Sequence, residues 1–243
     1  MIQPRVRHWD AWSAELELTS LRQAEFAGVV MATRRLLRGQ REPLRILDLG
    51  CGPGYIDVLL AASLGGTIVA CDMSSVALER ARGLLERTGT QDRVALVKVD
   101  GYSLPFRDGA FDLVVSFGRA SVGAYVGIQA EVRRVLKPNG LALIDFINTL
   151  SIYQLAIHPL RTLGTYRRWR RGEEKMYHWG PLGIRGAFRE HGLEAEKQTR
   201  FYVYPNFALL RFVPARWLIA GERWAAPLRA LLGRGILVRF RAM

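Results

Sequence analysis

The sequence predicts an α/β fold: a seven-stranded, mostly parallel sheet with helices on both faces, preceded by a helical cap. Three observations predict it. Between residues 44 and 147, apolar runs of strand length alternate with segments of helix length, the repeat that builds a parallel sheet covered on both sides. The first run (Ile46, Leu47, Leu49) breaks into glycines at alternate positions, Gly50, Gly52 and Gly54, the mark of a tight loop opening a helix. Aspartates stand at or near successive strand ends, as Asp48, Asp72, Asp100 and Asp145, where open α/β sheets collect their ligands.

The elements follow in order. Residues 1–40 place Trp9, Trp12, Leu16, Leu21, Phe26, Val29, Val30 and Leu36 at three- and four-residue spacings, which predicts one or two amphipathic helices. Trp9 and Trp12 either lean over a ligand or simply pack this segment on the domain. Strand 44–49 then runs into the glycine loop. Glycines are needed there because the backbone must turn through dihedrals that a Cβ forbids, and because a ligand must approach bare main chain. Helix 55–64 follows, its free N–H groups facing the loop. Next come strand 67–72, helix 75–88 with Ser74 or Ser75 as N-cap and Gly89 as terminator, strand 94–100, strand 111–117, helix 123–136 and strand 141–147.

After Asn148 the rhythm breaks. Tyr153, His158, Tyr166, Trp169, Tyr177, His178 and Trp179 are interleaved with Arg161, Arg167, Arg168, Arg170 and Arg171. Residues 183–191 read as a helix, 194–204 as a sixth strand and 236–240 as a seventh. Between the last two, residues 205–232 set Phe207, Leu210, Trp217, Leu218, Trp224 and Leu228 against Arg211, Arg216, Arg223 and Arg229. A basic amphipathic stretch of this kind lies on a membrane, covers the sheet or forms a subunit contact.

The spacing of the glycines restricts the ligand. A dinucleotide fingerprint G-x-G-x-x-G requires glycine at position 55 or 57, where Tyr55 and Asp57 stand, and no G-x-x-x-x-G-K-[ST] phosphate loop is present. The pattern that is present, Asp48-x-Gly50-x-Gly52-x-Gly54 with Asp72 eighteen residues on, resembles class I S-adenosylmethionine-dependent methyltransferases, closest to their small-molecule and quinone-biosynthesis subgroup. Further stretches resemble the family in the same order. They are Val69-Ala70-Cys71-Asp72, Val97-Lys98-Val99-Asp100-Gly101, Leu104-Pro105-Phe106 with Phe111-Asp112-Leu113-Val114-Val115, and Glu131 to Leu141, which follows the "E-x-x-R-v-L-k-P-G-G" pattern. Asn139 stands where glycine is usual, and Ser116-Phe117-Gly118-Arg119 replaces the usual histidine segment.

The resemblance implies a Rossmann-like sheet and a chain divided into an N-terminal cap (1–40), an S-adenosylmethionine-binding core (41–148), an acceptor-recognition insertion (149–185) and the C-terminal half of the same domain (186–243). It implies that the loop backbone at Gly50, Gly52 and Gly54 takes the methionine part of S-adenosyl-L-methionine, that Asp72 meets the ribose and Asp100 the adenine N6 with Gly101 or Tyr102 bordering the ring, and that Asp48, Cys51 and Met73 belong to the same cofactor site. Phe117 and Gly118 flank the reacting methyl, and S-adenosyl-L-homocysteine is the product. Methyl transfer from a sulfonium is an in-line displacement with a leaving group that is already charged, so positioning supplies most of the acceleration. A base is needed only where the acceptor must lose a proton. The candidates are His158, His178, Tyr153 and Asp145, each of which also reads as an ordinary wall or surface residue. The [DNS]-P-P-[YFW] tetrapeptide of nucleic-acid amino methyltransferases is missing after strand four. That leaves an O, C or N acceptor on an aromatic, apolar or anionic small molecule or lipid, with RNA methylation or cofactor binding without catalysis as alternatives.

Composition bounds the rest. A chain of 243 residues, half of them apolar, suits one domain with a real core. No window reaches eighteen uninterrupted apolar residues, and the N-terminus lacks the apolar region of a secretory signal, so a cytoplasmic protein, in solution or peripheral to a membrane, is expected. Cys51 and Cys71 are the only cysteines and fit a reducing compartment without disulfide or metal site. The 35 basic residues outnumber 22 acidic ones, for a net charge of +13. That excess either draws anionic partners, such as a membrane surface or nucleic acid, or records the base composition of the source. The oligomeric state is left open.

Overall fold

Leu44–Leu49 (β1) pairs in parallel on both sides, with Gly66–Asp72 (β2) and Phe111–Ser116 (β4). β2 carries Val94–Lys98 (β3) on its far side, and β4 carries Leu136–Ile147 (β5). Gly235–Ala242 (β7) then pairs antiparallel with β5, and Leu193–Phe201 (β6) antiparallel with β7. The sheet order is β3-β2-β1-β4-β5-β7-β6, so the expected seven strands are present, six of them running in one direction and β7 alone reversed between β5 and β6. The computed structural model describes residues 9–11, 13–40, 43–117, 127–148, 151–152, 181–202, 204, 210 and 212–243.

The connections place helices on both faces. Ser20–Leu36 (α1), Tyr55–Ser63 (α2) and Ser75–Thr88 (α3) contribute Val29, Leu36, Leu60 and Leu85 to one core with Ile46, Ile68, Leu113, Leu143 and Leu237. Ile128–Val135 (α4) and Pro181–Arg189 (α5) contribute Ile128, Val132 and Phe188 to the other, with Leu47, Val114, Ile144 and Phe240. Neighbouring strand residues go to opposite cores because side chains alternate across a pleated strand. Ser74 caps α3 through Ala77 N–H at 3.1 Å, and Gly89 ends it in the left-handed conformation. Ala215–Trp224 (α6), a 3₁₀ turn at Ala226–Leu228 and the short Arg229–Leu232 (α7) complete the chain before β7.

Of the boundaries that differ from the sequence expectation, three are instructive. β3 ends at Lys98 rather than at Asp100, because Val99 N–H turns to Asp72 O (3.0 Å) and Asp100 closes a turn with Ser103. β5 begins at Leu136, five residues before the apolar run, since Leu136 pairs with Phe111 across an irregularity in β4. β6 stops at Phe201, where Tyr202 takes a positive φ of 57°. Helix 123–136 is described from Ile128 onward.

The arginine excess has a partial structural use. Arg93 donates to the carbonyls of Ala61, Leu64 and Gly66, closing the C-terminal end of α2. Arg80 does the same for Ser13, Ala14 and Leu16 at the end of the N-terminal helical segment. Buried Arg239 joins Leu36 O of α1 to Glu196 of β6. A guanidinium has five donors in a fixed fork and satisfies several orphan carbonyls at once, which lysine does not.

Candidate functional site

The loop after β1 is built on three left-handed glycines, with φ of 87° at Gly50, 56° at Gly52 and 80° at Gly54. Such dihedrals cost a side-chain-bearing residue roughly 1–2 kcal/mol each. Gly50 and Cys51 N–H both bond Cys71 O on β2, at 2.8 and 2.9 Å, and Gly54 N–H bonds Cys51 O at 3.3 Å. The glycines differ in surroundings. A Cβ on Gly54 would lie 3.1 Å from the Ala81 Cβ of α3, whereas one on Gly52 would meet nothing within 4 Å. Gly54 therefore serves close packing of the loop on α3, and Gly52 faces open space.

Asp72, at the end of β2, fastens the loop. Its Oδ2 accepts Gly52 N–H at 2.9 Å and its Oδ1 accepts Ser74 N–H at 2.8 Å. Burial raises its pKa, and the N–H groups of Ser74, Gly52 and Met73 oppose the rise. Each carboxylate oxygen has a second lone pair, so acceptor capacity remains. Asp100 lies beyond the neighbouring strand β3, next to Asp72 through the Val99–Asp72 bond. Its Oδ1 accepts Tyr102 N–H at 3.1 Å. Gly101 is buried beneath it, while the Tyr102 side chain is partly exposed and packs beside Gly127 at the start of α4. Phe117, after β4, is buried, and the β4 end is tied to β1 by Ser116 Oγ donating to Leu49 O at 2.7 Å.

Two further carboxyls sit below the loop. Asp48 of β1 and Asp57 of α2 are both buried, and neither Asp57 oxygen has a conventional donor in reach. Burial, then the neighbouring Asp57, pushes Asp48 well above the usual carboxylate range; burial raises Asp57 to about 7, with Asp48 as its hydrogen-bond partner. Two buried acids in contact do not both ionise. One proton held on Asp48 and offered to Asp57 pairs oxygens that are otherwise orphaned. Asp145 of β5, another candidate base, is buried as well and adds its charge to Asp48. Cys51 and Cys71, surrounded by these acids, have their thiol pKa values raised by burial and by the carboxylates, which keeps both as inert thiols.

Asp10, in the N-terminal helical segment, joins from the far end of the chain. Its carboxylate accepts the Ser74 hydroxyl, and its charge reaches Asp72. The sequence signalled this segment through Trp9 and Trp12 and the helical spacing of its apolar residues. Asp57 carried no such signal, because an acid in the first turn of a helix is ordinary dipole chemistry. The structure thus brings Asp48, Gly50, Cys51, Gly52, Gly54, Asp72, Met73, Asp100, Gly101, Tyr102 and Phe117 to the C-terminal ends of β1 to β4. Gly118, Tyr153, His158 and His178 lie outside the described residues. Among the described residues no cluster of histidine, cysteine or carboxylate forms a metal site.

Comparison with known proteins agrees with this geometry. Residues 46–140 match the family model described as a methyltransferase domain. Demethylmenaquinone methyltransferase of Staphylococcus aureus (strain MRSA252) is 35% identical over 108 residues, which are 43% of this chain and 44% of that protein. The chain therefore spans less than half the length of the curated relatives it matches. Among solved structures, a putative methyltransferase in complex with the Haloferax volcanii Trm112 methyltransferase activator has a TM-score of 0.65 at 21% identity, covering 98% of this chain and 96% of that one. A geranyl diphosphate methyltransferase in complex with GPP and sinefungin has a TM-score of 0.59 at 16% identity, covering 91% and 77%. Sheet order and glycine loop give this chain the Rossmann-like fold of the class I S-adenosylmethionine-dependent methyltransferases, and residues 46–140 match a methyltransferase domain.

Proposed function

We propose that the protein transfers a methyl group from S-adenosylmethionine to an apolar or aromatic, lipid-like acceptor. The observation that carries the cofactor half is one of charge. In a chain of net charge +13, Asp10, Asp48, Asp57, Asp72 and Asp100 gather around one bare-backbone loop. A concentration of carboxyls with no metal cluster among the described residues suits an organic cation, and it would repel a phosphate.

The residues present fit such a cofactor. Open space above Gly52 admits close approach to main chain, and the spare lone pairs of Asp72 suit vicinal hydroxyls. Asp100, with the partly exposed Tyr102 beside it, suits an aromatic base with an amino donor. When bound, S-adenosylmethionine supplies a methyl group on a positively charged sulfur. The chain contributes position: Asp72 holds the loop and one side of the ligand together, the Asp48–Asp57 pair sets negative charge beneath the loop, and Phe117 keeps water from the end of β4. Tyr153, His158 and His178 are the proposed proton acceptors where the acceptor requires one.

The acceptor class is supported by the names of two similar proteins, one acting on a demethylmenaquinone and one on geranyl diphosphate. Both acceptors are isoprenoid in character, and the aromatic residues between 153 and 179 suit such a chain. Titration calorimetry with S-adenosylmethionine tests the seat, and micromolar binding is expected; an absence of heat overturns the whole reading. Transfer of labelled methyl to prenylated quinols and prenyl diphosphates, but not to RNA, is the expected second result. Label appearing in RNA selects the nucleic-acid alternative, and binding without product on every acceptor selects a non-catalytic role.

A further inference from the structure

α6 carries two tryptophans that the fold does not bury. Trp217 is 64 % exposed and Trp224 86 %, and Leu228 just beyond is 52 % exposed. Seven residues apart, the tryptophans lie two turns from each other on one stripe of the helix. Arg216 and Arg223, both exposed, repeat the same spacing one position earlier and form a parallel stripe. The opposite side of α6 is committed to the protein. Leu218 is buried and its carbonyl accepts the Tyr204 hydroxyl at 2.7 Å, and Glu222 accepts Tyr202 N–H at 3.0 Å and Arg229 Nε at 3.3 Å.

Charge narrows what covers the outer side. Residues 205–234 contain five arginines and one acid, and that acid, Glu222, is buried and ion-paired. The outer surface of α6 is therefore aromatic and cationic, with no exposed carboxylate of its own. Tryptophan places an apolar body and a polar N–H at a water–hydrocarbon boundary, and arginine lets its stem lie on apolar material while its head meets anionic headgroups. A second copy of the chain is a poor occupant, since a two-fold contact would set the Arg216 and Arg223 pairs of both copies against one another. We propose that this face of α6 docks the protein on an anionic lipid bilayer. No helix among the described residues is long and apolar enough to cross a membrane, so the contact is superficial.

The placement relates this face to the cofactor loop. α6 is bonded to Tyr202, which follows Phe201; Phe201 pairs with Gly235 and Gly235 with Ile147, the last residue of β5. That is the end of the sheet at which β1 delivers Gly50 to Gly54. A protein lying on α6 therefore has its parallel strand ends near the bilayer, where an apolar acceptor is concentrated. The inference rests on the surface of α6 alone and stands or falls apart from methyl transfer.

Flotation of the full chain with vesicles tests it. With phosphatidylcholine plus phosphatidylglycerol, the wild type is expected to float and its tryptophan emission to shift to the blue; with phosphatidylcholine alone, retention falls at least tenfold. Trp217→Glu with Trp224→Glu is expected to abolish flotation with the melting temperature and S-adenosylmethionine affinity unchanged. Arg216→Gln with Arg223→Gln removes only the preference for anionic vesicles. Equal flotation of wild type and the tryptophan variant overturns the proposal. So does a wild-type dimer that the tryptophan variant converts to monomer, or tryptophan-dependent retention on RNA with none on vesicles.

Discussion

Asp72 Oδ2 accepts the Gly52 N–H at 2.9 Å, so the acid that ends β2 also holds the middle of the loop that ends β1. A carboxylate in that position shapes the loop before any ligand arrives. The two strand ends are thereby tied together.

Asp72→Ala should therefore act on binding more than on folding. Loss of a charge-assisted bond to Gly52 and another to Ser74 removes roughly 1–3 kcal/mol from the loop's order, while β2 keeps its ladder. S-adenosylmethionine affinity by calorimetry is expected to fall at least tenfold, about 1.4 kcal/mol. Asp72→Asn, able to accept on one oxygen only, is expected to lie between.

The loop glycines separate folding from binding. Gly54→Ala forces a φ of 80° on a residue with a Cβ only 3.1 Å from the Ala81 Cβ, and should cost about 2–3 kcal/mol of stability. Gly52→Ala, at φ 56° with nothing within 4 Å, should cost only about 1 kcal/mol. Yet the Gly52 methyl projects into the space assigned to the ligand. Paired denaturation and calorimetry are expected to show Gly52→Ala losing more affinity than stability; equal affinity with wild type would move the ligand off this loop.

Much of this site was legible before the fold was known, because chemistry there depends on residue type at short spacing. Three alternate glycines have no other common explanation than positive φ and bare backbone, and strand-ending aspartates fall where parallel sheets expose ligands. Asp57 was illegible for the opposite reason. Its significance is its burial against Asp48, a contact between a strand and a helix that no periodicity encodes. Arg80 and Arg93 read as surplus charge in the sequence, and only tertiary structure shows them closing helix ends. The extended start of β5 was missed because Lys137 to Gly140 carries turn residues, while pairing with β4 begins already at Leu136.

The Asp48–Asp57 pair predicts an unusual dependence of stability on pH. Burial raises the folded-state pKa of Asp57 to about 7 and also pushes that of Asp48 well above the usual carboxylate range. With pKa values above those of the unfolded chain, the folded protein binds more protons, so stability falls as pH climbs from the ordinary carboxylate range; the slope eases as Asp57 ionises near 7, while the proton kept by Asp48 sustains the rest of the decline. Asp57→Asn removes that ionisation. Its denaturation midpoint should decline less steeply than the wild type's between about pH 5 and pH 8. The offset between the curves reflects packing of the amide; parallel curves would show that Asp57 does not titrate in this window.

Glu131 and Arg134 explain why E-x-x-R accompanies the Leu104-Pro105-Phe106 segment. Glu131 Oε2 accepts Leu104 N–H at 2.8 Å, while Arg134 donates to Leu104 O at 2.9 Å and Phe106 O at 2.6 Å and pairs with Glu131 at 2.7 Å. The two side chains satisfy a segment of backbone that belongs to no strand, just after the Asp100 turn. Arg134→Lys keeps the charge but supplies one donor centre in place of a fork, so it should behave nearly as Arg134→Ala, each losing about 1–3 kcal/mol in urea denaturation. The hydrogen bond from Arg134 holds Glu131 below the usual carboxylate range, so its contribution is present above the unfolded pKa and is lost as pH falls through the lowered one. Acidification should therefore narrow the gap between wild type and Arg134→Ala. S-adenosylmethionine affinity should drop only a few-fold in either variant, less than in Asp72→Ala, because the segment supports the adenine side of the proposed seat without touching the loop; a larger drop than in Asp72→Ala would place the main determinant of binding at Asp100 and Tyr102.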